Sequence, residues 1–187
     1  MVLNKVSKKV KPKVKIFLDT TDKYFSFLKD YGYVFKGAKI ATEYVVDNII
    51  EVQYQNEKLD RLIIVHYEPI DIDDEEVDNI SVIFYRGIKL HNSKLEFDLF
   101  IEKHNPDFDT NNLNDINKNN KGSFKKNIEA SVSGYAYFLK DIGVNLVNGT
   151  EWENDLIYDW STAEDTLYQA QKDIIYGDDD KNDEDDT

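Results

Sequence analysis

Asn48-Ile49-Ile50-Glu51-Val52-Gln53-Tyr54, then Leu62-Ile63-Ile64-Val65-His66-Tyr67, then Ile80-Ser81-Val82-Ile83-Phe84-Tyr85: these three runs decide the fold class. In the first, Asn48, Ile50, Val52 and Tyr54 alternate with Ile49, Glu51 and Gln53, the period of a strand with one buried and one mostly wet face. The second is apolar on both faces except at His66, and the third except at Ser81, as central strands are. Residues 55–60 can turn the chain, and Pro69, which cannot donate to a ladder, is expected to end the second strand. Tyr33 to Ile40 is a candidate edge strand. Short connections make an antiparallel meander the economical topology.

Helical signals flank the strands. A first helix is expected from Thr21 to Tyr31, with Asp19, Thr20 and Thr21 as N-cap candidates and Gly32 as its left-handed stop. Ser93 and Glu96 have capping-box spacing ahead of Leu95, Leu99 and Phe100. Ser123 opens a stronger helix whose stripe is Phe124, Ile128, Val132, Tyr135, Leu139 and Ile142, stopped by Gly143. Ser161 and Glu164 repeat the box before Leu167, Ala170 and Ile174, with Gly177 as the stop. Residues 104–122, rich in Asn and Asp, read as a long loop. Phe27-Leu28-Lys29-Asp30-Tyr31-Gly32 and Phe138-Leu139-Lys140-Asp141-Ile142-Gly143 share the chemistry of a helix ending. The fold class is therefore α+β, an antiparallel meander of three to four strands packed by about four helices.

The 187 residues suit one domain, assigned to 14–177, between a flexible basic arm over 1–13 and a disordered acidic tail over 178–187. The formal net charge is −14, and the first 15 residues carry six lysines and no acid. An acidic body repels nucleic acid and attracts basic proteins. The absence of cysteine excludes disulfides, thiolate metal sites and cysteine nucleophiles. No apolar run reaches the ~20 residues of a membrane span, and Ile16-Phe17-Leu18 is too short for a signal sequence. These features point to a soluble, cytoplasmic protein.

Two constellations are candidate partner-binding surfaces. Asp71, Asp73, Asp74, Glu75, Glu76 and Asp78 form the densest acidic cluster of the domain, expected in a solvated loop between strands. Trp152, Tyr158 and Trp160 are interleaved with Glu151, Glu153, Asp155 and Asp159, as aromatic anchors rimmed by acid would be. Catalytic and metal sites are not expected, nor is a cofactor. Asp107, Asp109 and Asn111 begin like a calcium loop, but Asn112 and Lys118 stand where glycine and a bidentate glutamate belong. His66, His91 and His104 have no ligand spacing, and no phosphate-binding or nucleophile-elbow motif is present.

The helix ending in Phe27-Leu28-Lys29-Asp30-Tyr31-Gly32-Tyr33, the meander through Tyr67 and Tyr85, and the late helix leading into Leu146-Val147-Asn148-Gly149 give a layout that resembles small bacterial immunity proteins encoded beside polymorphic toxins. The resemblance covers roughly residues 20–176 and brings no residue roles with it. It implies sequestration of a toxin domain by tight binding. Charge and resemblance together predict a non-enzymatic module that binds a basic protein, without direct nucleic-acid or membrane contact. Two other readings remain open: an acidic nucleic-acid mimic that blocks a DNA-binding enzyme, and a hydrolase built on the carboxylates around Asp71.

Overall fold

The computed structural model describes residues 11–40, 49–72, 75–88, 93–116, 123–152 and 157–158, with only the backbone described at 69–72, 75–78 and 157–158. Strands β1 (Val34–Ile40), β2 (Ile50–Asn56), β3 (Arg61–Ile72), β4 (Glu75–Arg86), β5 (Ser93–Glu96) and the two-residue β6 (Ile157–Tyr158) form one sheet in the order β1-β2-β3-β4-β5-β6. Every neighbouring pair is antiparallel, so the sheet is the expected meander with a longer strand count. The β2–β3 turn is fastened by Asn56, whose Oδ1 accepts from the amides of Lys58 and Leu59 while its Nδ2 donates to the Tyr31 carbonyl. Edge strand β1 carries a bulge between Phe35 and Gly37. Gly37 has φ of +120°, a value side-chain-bearing residues rarely adopt.

Helices α1 (Lys11–Phe25), α2 (Phe97–His104), α3 (Asn111–Asn114), α4 (Phe124–Asp141) and α5 (Val144–Asn148) feed side chains into one core on one face of the sheet. That face supplies Ile50, Val52, Tyr54, Ile63, Val65, Tyr67, Ile80, Val82, Phe84 and Leu95. From α4 come Ile128, Val132, Tyr135 and Leu139, all fully buried and on the expected stripe, with Ser123 as N-cap.

Four expectations are corrected. The first helix begins at Lys11, not Thr21, so part of the supposed arm is helical. Val14, Phe17, Thr21 and Phe25 recur at helical spacing and are buried, and this long stripe outweighs the local capping preference of Asp19, Thr20 and Thr21. After Phe25 the chain tightens into a 3-10 turn, Ser26–Tyr31, closed by Gly32 at φ +82°. Ser93 and Glu96 do not form a capping box: they are the first and last residues of β5, and α2 follows with Glu96 at its N-cap position but no side-chain cap bond. In β5 Leu95 turns inward opposite Phe84 while Lys94 and Glu96 bond to each other at 2.6 Å. Pro69 does not end its strand: β3 runs on to Ile72, with Pro69 opposite Asp78. Pairing with β2 stops at Tyr67, so no described strand needs a donor from Pro69 on that side. The expected loop over 104–122 contains α3. The helix expected over Ser161–Ile174 and the tail from 178 lie outside the described residues.

The two similar helix endings differ in what their glycine does. Gly32 takes the left-handed conformation, whereas Gly143 has φ of −88°, which any residue can adopt. At Gly143 the constraint is space: a Cβ would sit 3.0 Å from the Phe97 ring and 3.1 Å from the Leu139 Cα. Leu139→Ala should therefore cost about 2–5 kcal/mol of unfolding free energy and Gly143→Ala about 1–3 kcal/mol, read by urea titration. A cost under about half a kcal/mol at both would contradict this packing.

Candidate functional site

Strands β3 and β4 outrun their neighbours. β2 pairs with β3 only as far as Tyr67, and β5 pairs with β4 only over Ile83–Arg86. Among the described residues they continue beyond those points as a two-stranded ribbon, tied to the body by a bridge between Asn79 and Asp115. In this ribbon Glu68 stands opposite Asn79, Asp71 opposite Glu76 and Ile72 opposite Glu75. Residues 68–78 hold seven acids and no cation. The expected acidic loop is thus largely strand, because Ile70, Ile72 and Val77 sustain a β pattern through it and Ile70 pairs with Val77. Asp71, Glu75, Glu76 and Asp78 are brought together on paired backbone, while Asp73 and Asp74 lie outside the described residues. Like charges in directly opposed positions weaken a ribbon, so this composition is a cost to folding.

The aromatic segment sits at the other end of β3. Arg61 opens that strand and is only 6% exposed. Its guanidinium donates to the carbonyls of Leu146, Gly149 and Glu151, and lies 4.9 Å from the centre of the Trp152 ring. The acceptors are backbone carbonyls at and just past the C-terminal end of α5, where the helix leaves unpaired oxygens and partial negative charge. Burial pulls the Arg61 guanidinium below its usual pKa, and burial pushes the neighbouring Tyr33 hydroxyl up to about 12. Trp152 is therefore half-buried and packed on the core, not presented outward. Tyr158 belongs to β6, its backbone paired with Lys94, and Trp160 lies outside the described residues. Arg61 and Asp71 are ten residues apart on β3, about 33 Å of strand. The acidic ribbon and the aromatic segment are separate surfaces.

A third cluster was not singled out by its sequence. Lys39, Glu51, His66 and Ser81 stand in one cross-strand row on the face away from the helices. The Glu51 carboxylate accepts from Gln53 at 2.8 Å and Lys39 at 3.1 Å, and His66 Nε2 lies 3.5 Å from it. Burial opposes its ionisation, but the neighbouring His66 and Lys39 side chains win and hold Glu51 down at about 2. The signal in the sequence was a lone acid alternating with aliphatics in β2, visible as a cluster only once register is known.

Other features are structural. Asp109 accepts from the amide and side chain of Asn111, a local turn bond rather than an ion cage. Among the described residues, no three His, Cys, Asp or Glu side chains come together in a way that could hold a metal. Asp98 is pushed up to about 6 by burial beside the Tyr135 hydroxyl, 2.6 Å away. A shallow cleft of about 720 Å³ opens beside the β2–β3 turn, and its Lys36 and Glu57 are paired with each other at 3.3 Å. No described helix is long and apolar enough to cross a membrane. Comparison with protein-family models, curated proteins and solved structures finds no match to this chain.

Two outcomes are expected. Arg61→Ala leaves three carbonyls without their donor and should cost about 3–5 kcal/mol in urea unfolding, with Arg61→Lys recovering only part because it lacks the planar fork. A loss under about 1 kcal/mol would show that the clamp is not needed. Glu51 has a folded pKa below its unfolded one, so its contribution is present above the ordinary value of 4.5 and is lost as pH falls towards 2. Glu51→Gln should flatten the acid limb of stability against pH in that window, and an unchanged limb would contradict the assigned bonds.

Proposed function

We propose that this protein is a cytoplasmic binding module of immunity type, which engages a basic protein domain through the acidic ribbon of β3 and β4 and performs no chemistry of its own. The observation that carries the reading is the seven acids and no cation over residues 68–78, set on a ribbon that extends past the rest of the sheet. An anionic finger on a body of net charge −14 steers a cationic partner and repels nucleic acid. The layout's resemblance to immunity proteins supports the same role, with a toxin domain as the basic partner. The pairing of Asp71 with Glu76 costs stability when the protein is alone, and a partner's lysines and arginines would relieve that cost on binding.

The position of Trp152 divides the labour between the two candidate surfaces. Its ring is committed to Arg61, so it fixes the end of the fold rather than anchoring a partner. Steering charges act mostly on the association rate. The test is recovery of the partner from the native host, followed by kinetics on the basic protein obtained. Neutralising Asp73, Asp74, Glu75 and Glu76 together should slow association by about tenfold at low salt, flatten its salt dependence and change dissociation by less than about threefold. Recovery of no basic protein, or association identical to the parent at every salt concentration, would contradict the reading.

A further inference from the structure

The Tyr135 hydroxyl has one proton and two acceptors. It lies 2.6 Å from Asp98 Oδ1 and 3.1 Å from the Ile80 carbonyl oxygen. With Asp98 ionised, the proton goes to the carboxylate, the charged acceptor at the shorter distance. The Ile80 carbonyl then faces a hydroxyl lone pair and takes no proton from Tyr135. With Asp98 protonated, the order reverses. The carboxyl donates to Tyr135, the hydroxyl proton turns to Ile80, and both contacts are hydrogen bonds. The three groups come from three elements: Asp98 from the first turn of α2, Tyr135 from α4 and Ile80 from β4.

Ile80 stands at the root of the acidic ribbon. It is opposite Tyr67, the last residue of β3 to pair with β2, and beside Asn79, which bridges to Asp115. We propose that Asp98 and Tyr135 form a proton-operated latch: protonation of Asp98 turns the Tyr135 hydroxyl onto the Ile80 carbonyl and tightens the ribbon's root, and deprotonation releases it. The latch concerns how the ribbon is attached and holds whatever the ribbon binds. Its working range is mildly acid. Burial pushes the Asp98 carboxyl up to about 6, Glu96 at the end of β5 and Glu102 one turn along α2 add to the push, and the bond from Tyr135 opposes it. The folded value lies above the ordinary 3.8, so the stability that protonated Asp98 contributes is present below 3.8 and is lost as pH rises through about 6. Glu51 runs the other way, losing its contribution as pH falls below 4.5.

Carbon-13 NMR titration of the full chain tests this directly. The Ile80 carbonyl resonance should move with the same midpoint as the Asp98 carboxyl, at about 6, and should stay flat in Tyr135→Phe. A flat Ile80 carbonyl in the parent overturns the proposal, as does one that still follows Asp98 in Tyr135→Phe, or an Asp98 that titrates at its ordinary 3.8. Asp98→Asn tests it without removing the hydroxyl, because the asparagine amide can donate to Tyr135 as the protonated acid does. In that variant the Ile80 carbonyl should hold the parent's low-pH position at every pH. Measured against Asp98→Asn, which cancels the other titrating groups, the parent's folding equilibrium constant should fall roughly 50-fold between about pH 4 and 7. A ratio independent of pH, or an Ile80 carbonyl at the parent's high-pH position in Asp98→Asn, would likewise overturn the latch.

Discussion

The Arg61 guanidinium ties the exit of α5 to the first residue of the central strand. Without it, the carbonyls of Leu146, Gly149 and Glu151 would lose these donors, and the turn would be held by the bonds from the Glu151 amide to the Asn145 carbonyl and from Thr150 to Asn148 Oδ1. Holding those carbonyls fixes the α5 exit and lays Trp152 on the guanidinium, and further along the chain Ile157 and Tyr158 pair with β5 as a sixth strand. A lysine would satisfy this geometry poorly, since a point charge cannot reach three carbonyls while also stacking on an indole. Only two of the chain's 23 cationic residues are arginines, and one of them is buried here.

The two ends of β3 have opposite physical characters. At the Arg61 end, a buried charge is matched by oriented carbonyls and by an aromatic ring, and the local structure is overdetermined. At the Asp71 end, a two-stranded ribbon carries opposed acids and no cation. The first arrangement favours a fixed fold. The second is the arrangement that the proposed basic partner would relieve. The proposed function rests on the ribbon because its charge is unmatched within residues 68–78, whereas the Trp152 ring already lies against Arg61.

Much of the fold could be read from local periodicity. Ile50, Val52 and Tyr54 gave β2 its buried face, and the apolar runs at Leu62 and Ile80 gave the two central strands. What could not be read was decided by residues far apart in sequence. Thr20 and Thr21 have the chemistry of caps, and only packing of Phe17 on Tyr67, at 5.2 Å between ring centres, shows that the helix continues through them. Ser93 and Glu96 match a capping box, but pairing with Ile83–Arg86 claims them for a strand. The candidate site was legible as composition and not as geometry. The acids around Asp71 were visible as a cluster, whereas their register on opposed strands was not. The inward orientation of Trp152 depends on an arginine 91 positions earlier in the chain.

The central claim is that a basic partner contacts the distal ribbon and leaves the Arg61 end of the sheet free. Amide hydrogen exchange of the complex against the free protein tests it most directly. Binding should slow exchange over residues 68–79 by at least about tenfold and leave Leu146 to Trp152 within about twofold of the free protein. Protection concentrated at Leu146 to Tyr158, with residues 68–79 unchanged, would contradict the account.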